Sequence, residues 1–242
     1  MIERFTNRSG VRVRYLDNAP ALPAGFPILL SPGFTDYADE YIEVMDCLAP
    51  RRVLVVEVRG RGGSEAPPVG YRAADHAADL RAVLDEEGVD RFHLMTFSRG
   101  TTWGLDVVLE RPDRVASVAI GDYWPREHAL GTEMADTVMA GRFRGKPMSE
   151  RVEAHVIPSL FAASVDRDLH DLLAATGLPV LVATGTEPGC ILDTDSIVEY
   201  QSRIPGIEIV TIPGASHDLF RPDRLAYPRA VADFIARRAP GT

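Results

Sequence analysis

Strand-like and helix-like segments alternate along this chain of 242 residues. The alternation predicts an α/β protein, a mostly parallel and doubly wound sheet with one inserted helical segment. Its strand-sized segments are near-continuous Val/Ile/Leu runs, such as Val53-Leu54-Val55-Val56, as expected of strands covered on both faces. The rhythm also breaks between Tyr123 and Leu173. That stretch is rich in Arg, His and Glu, scatters its apolar residues and contains no convincing strand. It reads as a helical cap inserted over the C-terminal edge of the sheet. The expected organisation is therefore a core formed by residues 1–122 and 174–242, with residues 123–173 as the cap.

The elements follow in order. Val11-Arg12-Val13-Arg14-Tyr15 alternates with period two and predicts an outer antiparallel strand. Pro27-Ile28-Leu29-Leu30 follows a Pro/Gly turn and reads as a buried strand. A helix is predicted from Tyr37 to Leu48, a strand from Val53 to Val58, a helix from Ala73 to Glu87 and a strand from Phe92 to Phe97. The helix starting at Thr101 stops at Arg111, before Pro112. Val115 to Ile120 forms another buried strand. Beyond the cap come a strand (Leu178–Thr184), a short helix (Ser196–Arg203), a strand (Ile207–Ile212) and a last helix (Arg224–Arg238).

Composition narrows the function classes. A net charge of −9 disfavours nucleic acid and anionic membrane surfaces as partners. No apolar run approaches a membrane span, and the first eight residues lack the apolar centre of a signal peptide. Cys47 and Cys190 are too few for a disulfide framework and lack metal-ligand spacing. The expectation is a cytoplasmic protein acting on a small molecule, without cofactor or metal and of open oligomeric state. Lys146 is the only lysine beside an excess of arginine, a bias that suggests a GC-rich, bacterial coding genome.

The chemistry concentrates at chain turns. The strand Phe92–Phe97 runs directly into Ser98-Arg99-Gly100 and a helix. A serine there is a helix N-cap on its own merits. It is also placed as a nucleophile, because the free N–H groups of the following helix favour developing negative charge. Serine is a weak nucleophile and needs a base. Of the six histidines, only His217 lies in a Gly-containing loop between the last strand and the last helix.

Thr96-Phe97-Ser98-Arg99-Gly100 resembles the G-x-S-x-G nucleophile elbow of the α/β-hydrolases, with Thr96 in place of the first glycine. In such an elbow the residues two positions either side of the serine pass close together and must be small. Ser31-Pro32-Gly33-Phe34 stands where that superfamily carries a His-Gly-x loop, and the order Ser98, acid, His217 matches its chain order. The resemblance implies the α/β-hydrolase fold and a Ser98–His217 pair. It also implies an oxyanion hole formed by the backbone N–H groups of Phe34 and Arg99.

The acid is harder to assign. The Gly185-Thr186-Glu187-Pro188 loop, which often carries it, has proline at the expected aspartate. The Glu-Pro-Gly run resembles superfamily members, including a branch of the haloalkane dehalogenases, that place the acid one strand earlier. Here that strand ends in Gly121-Asp122. Asp122 is assigned first and Glu187 second, with Asp193 and Asp195 behind them as the apparent start of a helix. Dehalogenases of this kind use an aspartate nucleophile, so Ser98 disfavours halide chemistry.

The implied activity is that of a carboxylic ester hydrolase, cleaving an ester, lactone or related acyl bond through an acyl-enzyme. The same triad also serves C–C hydrolases, perhydrolases and acyltransferases, and the scaffold hosts ligand-binding proteins. The Glu57–Ser64 loop is read as structural, with Arg59 hydrogen-bonded within it; its glycines lack dinucleotide spacing. Trp103 and Gly104 are read as packing residues. Tyr123, Trp124, Phe143, Met148 and Phe161 are candidates for either an acyl pocket or the cap's own core. Asp36 and Arg99 are candidates to contact a polar substrate.

Overall fold

The computed structural model describes residues 1–8, 10–20 and 23–239. The rest of the expected core segments lies outside the described residues. The first half contains β1 (Ile2–Arg8), β2 (Val11–Asp17), β3 (Ile28–Ser31), α1 (Ile42–Cys47), β4 (Val53–Glu57), α2 (Ala73–Glu86), β5 (Phe92–Phe97), α3 (Gly100–Glu110) and β6 (Val115–Gly121). A segment of short pieces follows: β7 (Arg126–Glu127), α4 (Glu133–Ala140), β8 (Arg142–Phe143), β9 (Lys146–Pro147), α5 (Val156–Ala163), β10 (Arg167–Asp168) and α6 (His170–Ala175). The chain then returns through β11 (Val180–Gly185), α7 (Thr194–Arg203), β12 (Glu208–Ile212) and α8 (Ala226–Arg238).

Eight strands form one sheet in the order β1-β2-β4-β3-β5-β6-β11-β12. The β1–β2 and β2–β4 pairs are antiparallel and the remaining pairs parallel. Alternate side chains of each central strand enter opposite layers. Leu54, Val56, Leu94 and Val182 pack with α2 and α3, whereas Val53, Val55, Met95 and Ala183 pack with α1 and α8. Burial on both faces explains the unbroken apolar runs. Each fully buried Val or Leu contributes about 1.5–3 kcal/mol of transfer free energy. The chain moves from β3 to β4 on one side and to β5 on the other. The carboxyl ends of β3 and β5 thus flank a topological switch point, where open α/β sheets bind their ligands.

Several expectations are corrected. The sequence carries no strand signal at β1, because Ile2–Arg8 is mostly exposed and polar. The Tyr37–Leu48 helix divides into a 3₁₀ turn at Ala38–Tyr41 and α1. Residues 123–173 contain strands after all, but only two-residue ones. β7 pairs with β10 and β8 with β9, and none joins the main sheet. Arg59 reaches out of its loop, donating to both Asp79 oxygens at 2.8 and 2.6 Å and to the Gly70 carbonyl at 2.9 Å. It ties the β4 loop to α2.

Arginines fasten the 123–173 segment to the loops at the sheet edge. Arg144, in the β8–β9 turn, donates to both Asp218 oxygens at 3.0 Å and lies 3.5 Å from Asp36 Oδ1. Arg151 donates to the Thr35 carbonyl at 3.0 Å and to Glu40 at 2.6 Å. Among the described residues, no helix is long and apolar enough to cross a membrane.

Candidate active site

Ser98 is buried at the β5–α3 junction with φ +52°. A non-glycine residue in this left-handed region is strained, and such strain persists where the surroundings over-determine it. Here the Ser98 N–H donates to the Gly121 carbonyl at 2.9 Å, and its own carbonyl accepts from Thr101 N–H at 2.9 Å. The glycine at position 100 is required. The nearest atoms that a Cβ there would meet are the carbonyl oxygens of Pro32 and Ser31 on the β3 loop. Thr96 is accommodated elsewhere. Its hydroxyl lies 2.8 Å from that of Thr101. Its methyl faces Gly104, where a Cβ would lie 2.9 Å from Thr96 Cγ2. Gly104, read from sequence as a packing residue, thus makes room for the departure from the usual elbow.

His217 follows β12. Its Nε2 lies 2.9 Å from Ser98 Oγ and its Nδ1 2.8 Å from Asp122 Oδ2. The ring stacks on Phe97 at a centroid distance of 5.1 Å. An ionised carboxylate only accepts, so Nδ1 carries the proton and Nε2 presents its lone pair to the serine hydroxyl. Asp122 follows β6, is fully buried and has φ +42°. Its Oδ1 accepts from Thr184 Oγ1 at 2.9 Å and Leu192 N–H at 3.2 Å, and its Oδ2 from Ile191 N–H at 2.8 Å. The β11 loop, where the acid is more usual, supplies backbone donors to Asp122 instead. Glu187 in that loop accepts from Thr186 Oγ1 at 3.3 Å, and Asp193 caps α7 by accepting from Ser196 N–H at 2.8 Å. Neither touches His217 among the described residues.

The two expected oxyanion donors are held from behind. Asp36 N–H donates to the Gly33 carbonyl at 3.1 Å, fixing the peptide that bears the Phe34 N–H. The Thr101 bond to the Ser98 carbonyl fixes the peptide that bears the Arg99 N–H. Among the described residues, neither N–H has an acceptor. Asp36, a candidate for substrate contact, is buried beside the cavity over Ser98, with one oxygen taken up inside the protein. Its Oδ2 accepts from Gly33 N–H at 3.0 Å and from the Tyr41 hydroxyl. Burial pushes its carboxyl above the ordinary range, partly opposed by Arg144.

Two cavities meet over Ser98 and His217, sharing Phe34 and Val138 in their walls. One, of about 270 Å³, is bordered by Phe97, Phe143 and Met148. The other, of about 480 Å³, is bordered by Arg99, Tyr123, Trp124, His128 and Phe161. All five candidate aromatic and Met residues therefore line one cavity or the other. Sequence reasoning did not single out His128, because one polar residue in an irregular segment has no periodicity to mark it. An Asp168–His170–Glu199 cluster elsewhere already holds a cation, since the Arg203 guanidinium bonds Asp168 at 2.7 Å and Glu199 at 3.0 Å.

Known proteins resemble this chain in sequence and in fold. Over 90% of its length the chain is 28% identical to 94% of a Variovorax paradoxus protein named "Putative carbamate hydrolase RutD". Half of it is 32% identical to 42% of haloalkane dehalogenase 2 of Mycobacterium tuberculosis. The esterase RhEst1 from Rhodococcus superposes over 99% of this chain and 100% of its own, with a TM-score of 0.81 and 22% identity. The family model for the alpha/beta hydrolase fold matches residues 27–147, half of the chain. The chain belongs to the alpha/beta hydrolase fold family.

Proposed function

We propose that this protein is a serine hydrolase that cleaves an ester, lactone or related acyl bond of a small molecule through an acyl-enzyme on Ser98. The observation that carries the reading is the unbroken relay from Ser98 Oγ through His217 to Asp122, at 2.9 and 2.8 Å. Neutral His217 takes the Ser98 proton at Nε2 as Oγ attacks the carbonyl carbon. Asp122 fixes the tautomer and stabilises the imidazolium that forms. Negative charge developing on the carbonyl oxygen is received by the Phe34 and Arg99 N–H groups, which have no acceptor among the described residues. Collapse of the intermediate breaks the C–O bond, and His217 returns its proton to the leaving alcohol. Water, deprotonated by the same imidazole, then releases the acid. Residues 123–173 act as a cap that roofs the two cavities and selects the substrate.

The test is labelling by a serine-directed phosphonate together with turnover of a panel of esters, lactones and diketones. Wild type is expected to be labelled and to cleave members of the ester or lactone set. Ser98→Ala is expected to lose labelling and about 10⁴-fold or more in kcat. Labelling that persists in Ser98→Ala overturns the nucleophile assignment. Turnover confined to diketones replaces acyl hydrolysis with C–C cleavage.

A further inference from the structure

We propose that Arg99 and His128 form an anion-recognition subsite in the larger cavity, so that the preferred substrates are esters or lactones bearing a carboxylate. The inference rests on the acyl-hydrolase reading above and names the substrate class of that site.

Arg99 immediately follows Ser98 and is 4% exposed. Its Nε and Nη1 are buried and have no acceptor among the described residues. Tyr123 and a nearby carboxylate engage the guanidinium without serving these two nitrogens. Glu127 Oε1 lies 3.6 Å from Arg99 Nη2, beyond hydrogen-bond length. The other oxygen of Glu127 accepts from Arg167 Nε at 2.9 Å, and Arg167 also clamps both oxygens of Asp106 at 3.0 Å. Arg126 is likewise paired, donating to Glu199 at 2.6 Å.

The same cavity wall holds a second incomplete group. His128 Nε2 is buried without a partner, while its ring packs edge-on against Trp124 at a centroid distance of 4.9 Å. Burial and the charges of Arg126 and Arg99 keep its proton affinity below the ordinary histidine value. A neutral ring there offers one hydrogen bond. Arg61, also buried and with an unpartnered Nη2, adds positive charge near Arg99, and the Glu127 carboxylate offsets part of it.

An otherwise apolar cavity carries, then, a buried guanidinium with two free donors and an imidazole with one free nitrogen. Leaving buried donors unpaired is unfavourable, and a carboxylate oxygen accepting from one of these guanidinium N–H groups makes a charge-assisted bond, stronger than a neutral one. With a net charge of −9 the molecule as a whole repels anions, so recognition of an anionic substrate requires such a local cationic wall.

The experiment compares charged esters with their neutral methyl esters. Monomethyl glutarate places the carboxylate on the acyl side and 4-acetoxybutanoate on the alcohol side. Wild type is expected to prefer at least one charged ester over its methyl ester by about tenfold or more in kcat/KM, the scale of a charged hydrogen bond. In Arg99→Met that ratio is expected to collapse to near or below unity, and Arg99→Lys to restore part of it. The ratio is internal to each variant, so a general loss of activity leaves it unaffected. A wild-type preference for both neutral esters, or an unchanged ratio in Arg99→Met, overturns the proposal. Calorimetric titration of glutarate into Ser98→Ala separates this proposal from the reading on which it rests. Binding that disappears in Ser98→Ala/Arg99→Met supports the subsite even if no ester is cleaved, and in that case the acyl-hydrolase reading alone falls. Absence of binding together with absence of charged-ester preference overturns the subsite.

Discussion

At the scale of single residues, Asp122 has a geometry that makes a sharp prediction. Both of its oxygens are engaged, one of them by His217 Nδ1, and every partner is a donor. Replacing one oxygen with an amide nitrogen sets donor against donor and favours the wrong tautomer of His217. Asp122→Asn is therefore expected to lower kcat by about 10⁴-fold with the fold intact, as in other triads. Glu187→Gln is expected to leave kcat within about twofold, because among the described residues its side chain bonds only Thr186, and it sits at the surface. Steady-state kinetics of the two variants decide the matter, and a crippled Glu187→Gln with an active Asp122→Asn would reverse the assignment. Much of the proposed site was legible in sequence. Ser98 and His217 stand out because chain turns after apolar runs are readable from residue type and order. Asp122 required the resemblance, since nothing local shows that the β11 loop donates N–H groups instead of carrying the acid. The unpartnered donors of Arg99 were not legible, because whether a guanidinium finds an acceptor depends on distances between segments far apart in the chain.

At the scale of elements, the β5–α3 elbow joins two departures from the usual pattern. Thr96 puts a methyl where glycine is common, and Gly104 removes a Cβ from the helix face opposite it. Glycine inside a helix costs about 1 kcal/mol relative to alanine, so Gly104→Ala would stabilise the protein on propensity alone. The new Cβ, however, would lie 2.9 Å from Thr96 Cγ2 and 3.0 Å from a Leu94 methyl, and overpacking of that kind costs about 1–3 kcal/mol. The expected result is a net loss in the wild-type background and a smaller loss, or a gain, when Thr96→Ser removes the methyl and keeps the hydroxyl. Urea unfolding of the four proteins in this cycle is expected to give a coupling of at least about 0.5 kcal/mol, and additive effects would contradict the contact. The same contrast explains which elements the sequence revealed. Buried central strands announce themselves as apolar runs. β1, mostly exposed and pairing only with β2, and the two-residue strands of the 123–173 segment carry no such pattern. Their formation depends on a neighbour already in place.

For the whole molecule, one contribution to the dependence of stability on pH comes from a histidine that the fold keeps neutral. His76 is fully buried in α2, with its ring stacked 4.2 Å from that of Trp103 in α3. Its Nε2 lies 3.0 Å from Arg61 Nη1 and its Nδ1 3.0 Å from the Arg72 carbonyl. Arginine only donates, so Nε2 must accept and Nδ1–H must donate, an arrangement open only to the neutral ring. Burial, then the charge of Arg61, holds its pKa well below the ordinary histidine value. The unfolded chain has no such constraint and takes up a proton as pH falls below about 6.5. Because the unfolded state then binds more protons than the folded state, this histidine makes stability fall with falling pH, and its full contribution is present only above that value. The slope for one group is about 1.4 kcal/mol per pH unit, so between about pH 7.5 and about pH 5.5 wild type loses about 1.4 kcal/mol through His76. His76→Gln keeps an acceptor for Arg61 and has no proton to bind. It is expected to be less stable than wild type near neutrality, having lost the ring stack, but to lose about 1.4 kcal/mol less over the same interval. Urea unfolding of both proteins at the two pH values measures the difference. Parallel losses would mean that His76 is protonated alike in the folded and unfolded states, against the donor–acceptor pattern that Arg61 and Arg72 impose.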